Sequence, residues 1–140
     1  MIRVLIVDDQ ALMREGLKAL LGRAKDIEVV GEAGDGLEAV EITLDKSPDV
    51  VLMDAAMPGV NGLKATEQIR ALDDKIGVLF VSAHSDPLVL KQALKSGAKG
   101  YVVKSANPDE LILAIRAVKR GEMYFSPEVF SYMSEEIIRH

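Results

Sequence analysis

Five short apolar, largely β-branched runs recur along the chain, at Val4–Val7, Ile27–Val30 (interrupted by Glu28), Val50–Met53, Val78–Val81 and Tyr101–Val103. A strand with one wet face alternates polar and apolar residues. Runs without alternation suit strands covered on both faces, as in a parallel sheet layered with helices. The intervening stretches carry helical spacing. Leu12, Met13, Leu17, Leu20 and Leu21 form one apolar stripe, and Leu111, Ile112, Ile115 and Val118 form another. Leu37, Val40 and Leu44 mark a second helix, Leu63, Thr66 and Ile69 a third, and Leu90, Ala93 and Leu94 a fourth. The order is strand then helix, five times. Parallel strands joined through helices require right-handed crossovers, so the pattern predicts an α/β, doubly wound (βα)5 sheet.

The punctuation agrees. Gly31, Gly34 and Gly36 cluster after the second strand, where a tight turn calls for positive φ. Ser85-Asp86-Pro87 and Asn107-Pro108 place a capping side chain and a helix-starting proline before helices four and five. Gly97 and Gly121 fall where those helices should stop. Beyond Gly121, Ser126-Pro127-Glu128 offers a cap, a first-turn proline and a first-turn acid, predicting a further helix from Pro127 to about Ile138. With only Arg139 and His140 as cations it is not a basic arm but a packing or linker helix. The expected division is 1–122 for the main domain, with 123–140 an extra C-terminal helix or the start of an interdomain linker.

Composition narrows the functional classes. The chain has 140 residues, 17 Lys and Arg against 22 Asp and Glu, and a net charge of −5, which argues against a surface built to neutralise phosphates. It has no cysteine, which excludes disulfide scaffolds and thiolate metal sites and fits a reducing compartment, so a cytoplasmic protein is expected. The apolar runs are far shorter than the roughly 20 residues of a membrane span. Asp8 and Asp9 follow the first run before a signal-peptide core could form. The expectation is a soluble, single-domain protein with no membrane partner.

In open α/β sheets, ligands bind beyond the carboxyl ends of the strands. Those positions hold Asp8 and Asp9 after strand one, Asp54 after strand three, Ser82 after strand four and Lys104 after strand five. Each has an ordinary explanation. Asp and Ser cap helices, and a lone Lys is usually a solvated cation. Together the ordinary explanations weaken, because three carboxylates in one crevice repel each other unless a cation compensates. Oxygen donors without Cys, with His84 the only His inside the fold, favour a hard ion such as Mg²⁺ over zinc. A carboxylate beside Mg²⁺ and an ammonium is poised to attack a phosphoryl group, so the residues point to phosphoryl transfer onto an aspartate.

The series Asp8-Asp9, Asp54-x-x-Met57-Pro58-Gly59-x-x-Gly62, Ser82-Ala83 and Lys104 resembles the receiver domain of two-component response regulators. The intervals are 45 residues from Asp9 to Asp54, 28 on to Ser82 and 22 on to Lys104. The resemblance runs from residue 2 to about residue 122. It implies a flavodoxin-like fold with strand order 2-1-3-4-5. Asp8-Asp9-Gln10, Arg14-x-Gly16-Leu17, Val30 to Gly36, Gly97-Ala98-Lys99-Gly100-Tyr101 and Ala114 to Val118 resemble the NarL/FixJ subgroup. Its members usually carry a C-terminal LuxR-type helix-turn-helix, absent from these 140 residues, so the chain reads as a receiver cut from a longer regulator, with a natural stand-alone receiver as the alternative.

The resemblance implies the roles. Asp54 would accept a phosphoryl group from a sensor histidine kinase. Asp9 would ligate Mg²⁺ directly, Asp8 through water, and the main-chain carbonyl of Ala56 would complete the site with Asp54. Lys104 would pair with the phosphoryl oxygens, Ser82 would bond one of them, and Tyr101 would be the switch aromatic, or else a tyrosine packed at a sheet edge. The expected partners are the kinase, a second copy on phosphorylation, and DNA only through the helix-turn-helix. The chain would be no enzyme in the usual sense, assisting only its own phosphorylation and dephosphorylation. Two features depart from the pattern. Ser105 stands where many receivers have proline, leaving a cis bond there in doubt, and Ala55 and Ala56 are small. Ala56 and His84 are therefore expected to tune phosphoryl lifetime. The rivals are a receiver-shaped interaction module that takes no phosphate, and a small nucleotide- or flavin-binding protein. The latter is weak, since Gly31-x-x-Gly34-x-Gly36 reverses the dinucleotide glycine order.

Overall fold

The structure, a computed structural model, describes residues 1–56, 61–83, 86–104 and 107–129. The order is β1 (Ile2–Val7), α1 (Ala11–Leu21), β2 (Ile27–Ala33), α2 (Gly36–Lys46), β3 (Val50–Asp54), α3 (Asn61–Leu72), β4 (Gly77–Ser82), α4 (Pro87–Ser96), β5 (Gly100–Val103), α5 (Asp109–Lys119) and β6 (Tyr124–Phe125). The strands form one sheet in the order β2-β1-β3-β4-β5-β6, and each paired neighbour runs parallel. The doubly wound (βα)5 reading and its 2-1-3-4-5 order hold, with β6 added at the edge. None of the described helices is long and apolar enough to cross a membrane.

Strand alternation sorts the core into two layers. Leu5, Val7, Val51, Met53, Val78 and Phe80 face one side, where they join Ala39 of α2, Ile69 of α3 and Leu90 of α4. Val4, Ile6, Val50, Leu52, Leu79 and Val81 face the other, under Leu21 of α1 and Ile115 of α5. These strands are buried on both faces, which is why they read as unbroken apolar runs.

Two close approaches replace bulky packing. A Cβ on Gly77 would lie 2.1 Å from Val118 Cγ1, so α5 sits nearly against the backbone of β4. A Cβ on Gly31 would meet Ile42 Cγ2 at 2.9 Å. Gly31 is therefore a strand residue that admits α2, not a turn glycine, and Gly36 is the first residue of α2. Among the described residues, positive-φ glycines are Gly97 and Gly121, at the ends of α4 and α5 as expected. The loop invoked for nucleotide binding is thus half strand.

The buried face of α2 also differs from the expected stripe. Gly36, Ala39 and Thr43 are buried, whereas Leu37 is 72% and Leu44 64% exposed. The sheet side of α2 carries Gly36, Ala39 and Thr43, with Ile42 seated on Gly31 and Val40 half-buried beside the core, so Leu37 and Leu44 fall on the outward side. Leu12 of α1 is likewise exposed.

The caps are mostly as read. Asp86 accepts from the amides of Leu88 and Val89, with Pro87 opening α4, and Asn107 Oδ1 accepts from the Asp109 amide before α5. Beyond α5, Tyr124 and Phe125 pair with Gly100 and Tyr101, and a helix begins at 127–129. Ser126 precedes that helix, but its hydroxyl serves other partners. It accepts from the Val103 amide at 3.0 Å and donates to Glu110 of α5. Val129 is fully buried against the layer containing Tyr101 and Leu90.

Candidate functional site

All the strands run parallel, so their carboxyl ends share one edge, and side-chain parity then aims the polar residues. Asp54 continues the parity of Val50 and Leu52, and Asp8, one residue past β1, continues that of Val4 and Ile6. Lys104, one past β5, continues Val102. These three lie in the same register class, while Ser82 follows Val78 and Phe80 toward the other layer. Strand adjacency places β1 beside β3, β3 beside β4 and β4 beside β5.

The carboxylates converge. One oxygen each from Asp8, Asp9 and Asp54 lies within 4.8 Å of the other two. Asp8 and Asp54 are buried and Asp9 is exposed. Lys104 Nζ is 3.9 Å from Asp8 Oδ2, an ion pair longer than a hydrogen bond. Backbone amides hold two of the acids, since Gln10 N donates to Asp8 Oδ1 at 2.8 Å and Ala56 N to Asp54 Oδ1 at 2.9 Å. Burial pushes the Asp54 carboxyl above its ordinary range, and the charges of Asp8 and Asp9 push the same way. The Ala56 amide and Lys104 only partly oppose them. Such a cluster is short of positive charge, and an all-oxygen donor set of this spread fits a hard divalent cation.

Ser82 and Tyr101 flank the cluster. Ser82 is the last residue of β4 and is paired in register with Val103, and the Lys104 amide donates to its carbonyl. Tyr101 is fully buried. Burial raises its phenol, while a hydrogen bond with the Ser82 side chain opposes that shift. The alternative of a tyrosine at a sheet edge does not hold, because β6 covers that side of β5. A small cavity is lined by Asp54, Ala55, Gly62, Leu63, Phe80, Val89 and Gln92. His84, Ser105 and Met57-Pro58-Gly59 lie outside the described residues.

Two contacts carry no signal in local sequence. Arg14 of α1 donates to the main-chain carbonyl of Asp8, and Ser126 reaches the amide next to Lys104. The first spans the single turn from the end of β1 into α1 and the second joins β5 to the segment after β6, and periodicity speaks to neither.

Residues 4–116 match the family model described as response regulator receiver domain. The chain belongs to that family. It is 39% identical over 138 residues to the transcriptional regulatory protein DegU of Brevibacillus brevis, covering 99% of this chain and 58% of that protein. It is 40% identical over 125 residues to the nitrate/nitrite response regulator protein NarL of Escherichia coli (strain K12), covering 88% of this chain and 57% of that protein. Among solved structures, a two-component response regulator of the LuxR family from Aurantimonas sp. superposes with a TM-score of 0.89 at 37% identity, covering 97% of both chains. The chain is thus a receiver of the NarL/LuxR group, a signalling family and not a classical enzyme family. It spans somewhat under two thirds of the length of these curated relatives.

Proposed function

We propose that this receiver takes a phosphoryl group onto Asp54 from the phosphohistidine of a sensor histidine kinase, with Mg²⁺ held by Asp8, Asp9 and Asp54. The observation that carries this reading is the gathering of three carboxylates, with Lys104 against them, at one sheet edge. In the transfer, an Asp54 carboxylate oxygen forms the new bond to phosphorus as the phosphorus–nitrogen bond to the histidine breaks and its electrons return to the imidazole. Asp9 would ligate the metal directly, Asp8 through water, and the main-chain carbonyl of Ala56 would complete the set. The ion, when bound, supplies charge neutralisation to the phosphoryl oxygens. Lys104 pairs with one of those oxygens, and Ser82 bonds another, drawing the loop after β4 inward. Tyr101, already bonded with Ser82, follows that movement. The small Ala56 side chain, together with His84, sets how fast water reaches the acyl phosphate. His84→Ala should change the dephosphorylation rate, and an unchanged rate removes His84 from this role.

The group added to Asp54 brings nearly two negative charges beside the buried Asp8 and Asp54 carboxylates, which biases the β4 and β5 ends toward one arrangement. The outputs we infer are homodimerisation and, through a LuxR-type DNA-binding domain, control of transcription in the cytoplasm, in keeping with the DegU relative's name as a transcriptional regulatory protein. Residues 1–122 would carry the receiver chemistry, and 123–140 would start the connection onward, clipped to the sheet by β6.

The test is the intact mass of the protein after incubation with a small acyl-phosphate donor, with and without Mg²⁺. One Mg²⁺-dependent phosphoryl adduct on the wild type, lost in Asp54→Asn, is expected. No adduct under any condition would leave a receiver-shaped interaction module.

A further inference from the structure

Asp8 is fixed from three directions. Its amide donates to the Ala33 carbonyl at 3.0 Å, continuing the β1–β2 ladder. Its carboxylate accepts from Gln10 N. Its own carbonyl, where the strand ends and the chain turns toward α1, accepts from Arg14 Nη1 at 2.6 Å. The same guanidinium reaches Glu32 Oε1 of β2 through Nε at 3.2 Å. Glu32 is held in turn by Lys18 Nζ at 2.9 Å, which also pairs with Glu15 at 2.8 Å. The Arg14 side chain is only 21% exposed. Lys18, then Arg14, hold the Glu32 carboxyl below its ordinary range against the effect of burial.

The two cations near the acidic cluster therefore differ in what they touch. Lys104 faces an Asp8 carboxylate oxygen. Arg14 binds the Asp8 peptide, so it supplies positive charge and rigidity without occupying a carboxylate oxygen. A guanidinium does this with two nitrogens of one rigid plane, Nη1 on the Asp8 carbonyl and Nε on Glu32, a fixed geometry that the single Nζ of a flexible lysine does not reproduce.

We propose that Arg14, oriented by Glu32, is a positioning residue that sets the turn presenting Asp8 and Asp9 to the divalent cation. This rests on the reading of the cluster as a cation site. Groups that orient ligands from behind typically change metal affinity by about 10–100-fold when removed. The effect should therefore appear in cation affinity, not in the fold.

The experiment is calorimetric titration of the full chain with Mg²⁺ for wild type, Arg14→Ala, Arg14→Lys, Glu32→Gln, the Arg14→Ala/Glu32→Gln double variant and Asp9→Asn, with melting in EDTA as the folding control. Arg14→Ala is expected to weaken Mg²⁺ binding about tenfold, and Glu32→Gln by less. The double variant should be no weaker than Arg14→Ala alone, because both changes act through one clamp. Arg14→Lys should not restore affinity. A dissociation constant within about twofold of wild type for both single variants, whatever their melting temperatures, would overturn the clamp, as would full rescue by lysine. Those results count against the clamp alone when wild type binds Mg²⁺ and Asp9→Asn does not. If wild type binds no Mg²⁺, the cation-site reading itself falls and the clamp falls with it.

Discussion

Replacing Asp54 by Asn should stabilise the metal-free protein at neutral pH. Oxygens of Asp8, Asp9 and Asp54 lie within 4.8 Å of one another. At that separation, with an effective dielectric constant near 20, a pair of like charges repels by about 3.5 kcal/mol. Lys104 and the Ala56 amide offset part of this, and an Asn oxygen can still accept from Ala56. A net gain on the order of 1–3 kcal/mol follows, or roughly 3–10 °C in Tm for a domain of this size. The sign follows from linkage. Burial and the neighbouring acids raise Asp54 above its ordinary 3.8, so the folded state holds that proton more tightly than the unfolded chain. The wild type therefore loses stability as pH rises from about 3.8 through the raised value, by about 1.4 kcal/mol for each unit of separation. Melting in EDTA across this range should show the Asn variant ahead at pH 7 and level with wild type near pH 4. Saturating Mg²⁺ should favour wild type and close the gap from the other side. A variant equal to or less stable than wild type at pH 7 in EDTA would refute the reasoning, as would a gap that ignores pH.

Other consequences follow from packing and charge. Gly77→Ala would set a methyl 2.1 Å from Val118 Cγ1 and should cost about 1–3 kcal/mol, read by urea denaturation. Ser126→Ala would take away the acceptor of the Val103 amide and should cost about 1–3 kcal/mol. Hydrogen exchange should show it as faster exchange at Tyr124 and Ser126, whose amides donate to Lys99 and Tyr101. Asp49 behaves oppositely to Asp54. Burial would raise it, but the Arg3 amide and Lys119 outweigh burial and hold it below 3.8. Its contribution is present above that pH and lost as pH falls through the lowered value, so Asp49→Asn should flatten the acid limb of the stability curve.

The sheet was legible because burial on both faces removes alternation in β1, β3, β4 and β5, and with the half-exposed β2 run, which carries Glu28, they leave little choice of architecture. The edge of the sheet where the site lies followed from topology alone. What the sequence hid came from close approaches and long-range polar contacts. The face of α2 was misjudged because its sheet side carries small Gly36, Ala39 and Thr43 with Ile42 seated on Gly31, so the largest apolar side chains, Leu37 and Leu44, do not mark the buried stripe. β6 escaped because two residues, Tyr124 and Phe125, make no periodic signal, and their place depends on the waiting edge of β5. Ser126 looked like a helix cap because that is the local use of serine, whereas its hydroxyl spans from Val103 to Glu110. Arg14 could be seen only once β1, α1 and β2 were assembled.

The most direct test is to locate the acyl phosphate. The protein, phosphorylated with a small acyl-phosphate donor and Mg²⁺, is reduced with borohydride, which converts an aspartyl phosphate to homoserine, and its peptides are then sequenced by mass spectrometry. The account predicts homoserine at position 54 alone, none at positions 8 or 9, and none when Mg²⁺ is withheld. Reduction at another acid, or none after phosphorylation with Mg²⁺ present, would contradict it.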